Sequence, residues 1–190
     1  VALTAFALFF DLSCRSSGQM PDLYQELTFS VDSTRLGETV AIGGMVFHAP
    51  RSWERIDSST VSHIRQAVSG DTNQSGVALE GVFVNSTNGA VLVVTSFDRK
   101  TTEPEEFAKL AYRFAETFGG STSKPGPREE RLLLSDIPAV QLYATDSLRV
   151  QFKFLLDLKI PIGLDYSVPR VAWSQEVRSV ESSLGSIRRQ

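Results

Sequence analysis

Along most of this chain apolar and polar positions alternate with a period of two, which predicts strands. Leu27, Phe29 and Val31 alternate with Thr28 and Ser30, the pattern of a half-buried strand. Leu36-Gly37-Glu38 reads as a turn. Val40 to Ala49 is a second strand, ended by Pro50, and its Gly43-Gly44 fits either a bulge or a hairpin turn. Val77–Val84 and Ala90–Phe97 are strands rich in Val and Phe, with Asn85–Gly89 as the hairpin loop between them. Arg131–Leu134, Ala139–Thr145 and Leu148–Leu156 follow. In the last, Leu148, Val150, Phe152 and Phe154 are expected on the dry side, and Arg149, Gln151 and Lys153 on the wet side. Ile160–Val168 is extended and stops at Pro169.

Two stretches change to a helical period. Thr102 and Glu105 form a capping box, Pro104 lies in the first turn, and Phe107, Leu110, Ala111, Phe114 and Phe118 share one stripe. Gly119-Gly120 ends that helix, and 121–130 reads as a mobile loop. The second helix is expected from about Arg170 to Arg188, with Trp173, Val177, Val180, Leu184 and Ile187 as its seam and the terminal arginines at the negative end of its dipole. Between Arg51 and Gly70 the pattern fits a helix or a short strand, with Trp53 and Ile56 packed on the domain. Strands joined by short turns argue antiparallel pairing, so the fold class is α+β, an antiparallel sheet flanked by helices.

The N-terminus departs from both periods. Val1–Phe10 is apolar except for Thr4. As a helix these residues would reach roughly 15 Å, half of a ~30 Å bilayer core, so they fit a signal-peptide core better than a membrane span. Cys14 follows, then a small polar stretch. Leu12-Ser13-Cys14 resembles the end of a bacterial lipobox, in which the cysteine becomes the lipidated first residue; Asp11 departs from that pattern. The expected organisation is a signal segment over 1–14, a tether over 15–23 and one domain over 24–190. Lipidation at Cys14 places the chain at the bacterial cell envelope, with the membrane as a partner through a lipid anchor. The alternatives are a secretory signal with a chance cysteine, and a buried N-terminal helix of a cytosolic protein.

Composition narrows the chemistry. The 190 residues carry 19 basic and 22 acidic side chains, a formal charge of −3, which disfavours a nucleic-acid binder. A single cysteine excludes an intrachain disulfide and a cysteine-based zinc site. His48 and His63 are the two histidines and have no metal-ligand spacing, so neither a metal nor a cofactor is expected. Ser121-Thr-Ser-Lys124 has the spacing of a serine nucleophile motif, but Lys124 precedes Pro125 in a Gly/Pro loop, and K-T-G and S-D-N triplets are missing. No nucleophile elbow, dinucleotide fingerprint or phosphate loop occurs. Trp53 and Tyr166, beside Pro50 and Pro169, are candidate binding-surface residues; tucking under a loop is the alternative.

Three segments carry a resemblance. Val46-Phe-His-Ala-Pro50 with Trp53, Ser96-Phe97-Asp98 before the Thr102 helix, and Asp165-Tyr-Ser-Val-Pro169 leading to Val180-Glu-Ser-Ser-Leu-Gly-Ser-Ile187 resemble the PsbP-like fold family and its lipidated bacterial relatives. The resemblance covers about residues 25–190. It implies an α-β-α sandwich used mainly for binding, and it carries no catalytic residues. The expected function is therefore a non-catalytic, envelope-anchored binding or assembly module with a protein partner. The alternatives are a carrier of a small apolar ligand and an enzyme whose site is assembled from residues distant in sequence, with His48 and a carboxylate.

Overall fold

Val-, Phe- and Leu-rich runs of seven to nine residues, punctuated by Gly, Asn and Asp, pair into one large sheet. The computed structural model describes residues 25–57, 59–61, 76–98, 107, 109–112 and 128–190. The strands are β1 (Gln25–Glu26), β2 (Leu36–Ile42), β3 (Met45–Pro50), β4 (Glu54–Arg55), β5 (Val77–Asn85), β6 (Ala90–Phe97), β7 (Arg128–Leu134), β8 (Ile137–Thr145), β9 (Arg149–Leu156), β10 (Ile162–Pro169) and β11 (Arg188–Arg189). Eight of them form a sheet in the order β1-β7-β8-β9-β10-β6-β5-β4; β11-β3-β2 form a smaller one. All pairs are antiparallel except β1 with β7, where Gln25 lies opposite Leu132. The class is α+β, with one long helix among the described residues, Trp173–Gly185, after a 3-10 turn at Arg170–Ala172.

Alternation sorts the side chains of the large sheet onto two faces. Leu92, Ala139, Phe154, Leu164 and Tyr166 face one way and meet Phe47 of β3 and Val180 and Leu184 of the C-terminal helix in the main core. Val140, Leu142 and Leu155 face the other way and meet Phe107, Leu110 and Ala111, which are helical. Asp57 caps the helical residues 59–61 by accepting the Thr60 N–H at 2.9 Å. Hydrogen bonds from Ser59 and Thr60 hold its carboxyl well below the ordinary aspartate range.

Several boundaries differ from the sequence expectation, each for a local reason. Gly43 and Gly44 have φ of +60° and +87°, which makes them a two-residue hairpin turn, and Leu36-Gly37-Glu38 belongs to β2 rather than a turn. Leu27–Val31 is not a strand; only Gln25–Glu26 pairs, and Leu27 adds one bond to Leu133. Arg128–Glu130, expected in a loop, begins β7. Leu148 sits in the turn before β9 and is 75% exposed, not on a dry face. The C-terminal helix stops at Gly185, and Arg188 and Arg189 pair with Val46 and Met45 in the smaller sheet, while the Arg188 guanidinium donates to the Gly185 carbonyl at the helix end, at 2.7 Å.

Candidate binding surface

Cys14 and His63 lie outside the described residues. Trp53 and Tyr166, candidates for a binding surface or for burial under a loop, are interior residues, 3% and 0% exposed. Their rings approach to 6.2 Å between centroids. Neither side chain lines a surface, because each polar tip finds its partner inside the fold.

For Trp53 that partner is Glu176, a carboxylate only 7% exposed in the first turn of the C-terminal helix. The Trp53 indole N–H donates to Glu176 Oε2 at 3.0 Å. Asn85 and Asn88 each donate a side-chain N–H to Oε1, at 3.0 and 2.8 Å. The same two asparagines build the β5–β6 hairpin, since Asn85 Oδ1 accepts the Thr87 N–H and Asn88 Oδ1 the Ala90 N–H. Glu176 thus locks the hairpin and the segment after β3 to the helix. Three neutral donors and the helix N-terminus surround its carboxylate.

For Tyr166 the partner is Ser183. The Ser183 hydroxyl donates to the His48 carbonyl at 2.6 Å, so the Tyr166 hydroxyl, 2.9 Å away, is the donor to Ser183 Oγ. Burial pushes the Tyr166 phenol well above the ordinary tyrosine range, against the pull of that hydrogen bond. Ser186 closes the loop: it accepts the His48 N–H at 2.8 Å and donates to the Ser183 carbonyl at 2.6 Å. Extending the β3–β11 register places Ser186 opposite His48, so hydroxyls replace a strand at this edge. Ser182 accepts the Asp32 N–H at 3.1 Å, and a Cβ on Gly185 would fall 2.8 Å from the Phe29 carbonyl. The terminal Glu-Ser-Ser-Leu-Gly-Ser stretch is therefore a docking seam. The His48 ring faces Thr39 Oγ1 at 3.2 Å and the Gly37 carbonyl, not a carboxylate.

The opposite situation holds at one end of the large sheet, where β8 passes to β9 and β10 passes to the helix. Asp146 Oδ1 accepts the N–H groups of Leu148 and Arg149, at 2.7 and 2.8 Å, and so shapes the first turn. Arg170 N–H donates to the Leu148 carbonyl at 2.8 Å, which sets the second turn beside it. These turns display Leu148 and Val171, 75% and 92% exposed. Trp173, Phe152 and Tyr143 continue inward as half-buried rings, with centroids 5.2 and 4.9 Å apart. Arg149 spends its guanidinium on Ser167 and the Gly89 carbonyl, and Arg170 on the Asp146 carbonyl. This tip joins apolar and cationic groups, and nothing in the sequence period marks it, because turns interrupt the pattern.

Elsewhere, a cleft of about 380 Å³ at the other end of the sheet is lined by Val77, Ala78, Ser96, Phe97, Asp98 and Ile160. A smaller one between β2 and β5 holds Arg55, which pairs with Glu38 at 3.0 Å and lies over the Phe83 ring. Among the described residues no three His, Cys, Asp or Glu side chains gather as a metal set, and no described helix is long and apolar enough to cross a membrane.

No protein-family model matches the chain, and no curated protein matches it in sequence. A solved structure does: the chain is similar to the solution structure of cyanobacterial PsbP (CyanoP) from Synechocystis sp. PCC 6803. The match covers 91% of this chain and 98% of that one, at 12% identity and a TM-score of 0.49. The resemblance carried by the sequence segments is to the same fold family.

Proposed function

We propose that the chain is a non-catalytic binding or assembly module, held at the bacterial cell envelope through lipid on Cys14 and built as an α-β-α sandwich. The carrying observation is a division of labour among side chains. Glu176, Tyr166 and Ser183 are consumed by hydrogen bonds that close the fold, whereas Leu148 and Val171 stand in solvent at one end. A hydrolytic or acid–base site needs a nucleophile beside a free base; here Ser183 and Ser186 donate to backbone carbonyls and Tyr166 donates to Ser183 instead. Phe107, Leu110 and Ala111 on one face and the C-terminal helix on the other support the layered reading.

The address is tested by intact mass after expression in a bacterium that processes lipoproteins. Loss of residues 1–13 and gain of lipid on Cys14 are expected; an unmodified mass that retains them overturns the anchor, with Asp11 as the residue to blame. The module reading is tested by cross-linking in intact envelope, which should capture a stoichiometric protein partner; repeated failure in several detergents counts against it. The cleft beside Val77 and Phe97 favours a second reading, a carrier of a small apolar ligand, for which native mass spectrometry should retain a ligand on the purified chain.

A further inference from the structure

The tip formed by Leu148, Val171 and Trp173 has the chemistry of a membrane contact, and we infer that it seats on the surface of an anionic phospholipid bilayer. The inference rests on the envelope reading above and names the partner of that exposed end. Three observations carry it.

The first is the form of the display. Leu148 and Val171 stand 75% and 92% exposed on two adjoining turns. The turns are held by Asp146 and by the Arg170–Leu148 backbone bond, and neither Leu148 nor Val171 lines either cleft described above. Exposed apolar groups on hydrogen-bonded turns fit a deformable apolar phase. Trp173 stands behind them, half-buried and stacked on Phe152, at the level where an indole favours the headgroup region.

The second is charge. The chain is acidic overall, at −3. At the tip, Arg149 and Arg170 face backbone carbonyls, and among the described residues neither is paired with a carboxylate side chain. Asp146 is the acidic side chain of the two turns, and its Oδ1 is occupied by two backbone N–H groups. Cationic groups flanking exposed apolar ones match a negative lipid surface, where each is worth about 1 kcal/mol.

The third is chain direction. β7 starts at the tip end, with Arg128 opposite Tyr143, and β1 runs parallel to it. From Gln25 the backbone therefore runs away from the tip, and Gln25 lies four register positions from Arg128, roughly 13 Å at the rise of a strand. The nine-residue tether read from the sequence spans about 15–18 Å as a coil. A lipid on Cys14 and the tip would meet the same bilayer, and the lipid holds the tip at high local concentration.

The test uses the full chain with Cys14→Ser, so that lipidation plays no part, and vesicles of brominated phosphatidylglycerol or brominated phosphatidylcholine. The chain has two tryptophans, and Trp53 is buried, so quenching absent from a Trp173→Phe chain reports the tip. The N-terminal apolar run can bind either vesicle, so the tip is read from the difference between the two lipids. Phosphatidylglycerol should quench Trp173 clearly more than phosphatidylcholine. Leu148→Asp with Val171→Asp should weaken the vesicle response about tenfold or more, and Arg170→Gln about fivefold. Leu148→Ser with Val171→Ser serves if the aspartates perturb the turns. Unchanged Trp173 emission with phosphatidylglycerol, equal quenching by both lipids, or a double variant that responds like the parent overturns the proposal. A protein partner lost on the double substitution without any vesicle response also overturns it, and leaves the binding-module reading standing. An unmodified Cys14 together with tip quenching fails only the anchor.

Discussion

Trp53 and Trp173 mark two regions built from the same residue type with opposite outcomes. Around Trp53 everything polar is answered: its N–H reaches Glu176, Glu176 gathers Asn85 and Asn88, and Tyr166 nearby is answered by Ser183. Around Trp173 apolar groups are left in solvent, with Val171 and Leu148 outermost. Leaving a Leu or Val side chain in water forfeits roughly 1.5–3 kcal/mol of burial. A fold that spends hydroxyls, an indole and a carboxylate on closing one region, yet leaves that gain untaken at another, separates holding from contacting. Substitutions that would break or sharpen the contrast range from several kcal/mol to almost nothing.

The largest effect belongs to the closed region. Val180, 2% exposed, packs with Leu184 and Ile187 in the main core. Val180→Asp buries an unpaired carboxylate and should cost about 3–5 kcal/mol or more, much of the ~5–15 kcal/mol that a domain has to lose. A melting temperature within a degree or two of the parent would mean the helix does not dock through that seam. Next comes Glu176→Leu. It leaves three buried or half-buried N–H groups, on Trp53, Asn85 and Asn88, without their acceptor, for a total of about 3 kcal/mol. Urea unfolding measures it, and a loss below about 1 kcal/mol would show that water answers these donors and that the region is not closed.

The two regions were unequally legible in the sequence. Strong strands such as Ala90–Phe97 appear where their period put them, because burial on a sheet face dictates alternation. Val180, Leu184 and Ile187 were readable as a seam for the same reason. Periodicity is silent about polar groups inside. Asn85 and Asn88 announce a hairpin, but their second hydrogen bond, to a glutamate about 90 residues away, has no local signature. Proximity to proline left Trp53 and Tyr166 open between a surface and burial under a loop, and their long-range partners decide for burial. The tip fails in the opposite direction. Leu148 continues the alternation of Val150, Phe152 and Phe154, and only the Asp146 turn, which ends the pleat before Leu148, puts it outside. Trp173 opens the helical seam in sequence, and at the helix start it packs half-buried on Phe152.

A milder substitution probes the same closed region by pH. Tyr166→Phe removes one buried hydroxyl, while Ser183 keeps its bond to the His48 carbonyl, so the cost near neutral pH should be about 1 kcal/mol. The folded phenol titrates above the unfolded value of about 10. The unfolded state therefore loses its proton first as pH rises. Stability from this group is fully present below about pH 10 and is lost as pH climbs from there toward the folded value. Urea midpoints between pH 8 and 11 should fall more steeply for the parent than for Tyr166→Phe. Parallel slopes would show that Tyr166 is open to water.

The smallest expected effect is the one that defines the open region. Leu148→Ser and Val171→Ser remove side chains that are 75% and 92% exposed, and the backbone bond from Arg170 to Leu148 survives both changes. Each should move stability by no more than about 0.5 kcal/mol, the range of ordinary surface substitutions. The two effects should add, because neither side chain supports the packing of the other against the core. Thermal melts of the single and double variants, set beside Val180→Asp, measure the contrast directly. A loss of about 2 kcal/mol at either position would mean that the side chain is covered in the free protein, and the tip would then belong with the closed region around Trp53. A near-zero effect leaves two apolar groups that the fold does not need, which is what a surface kept for contact requires.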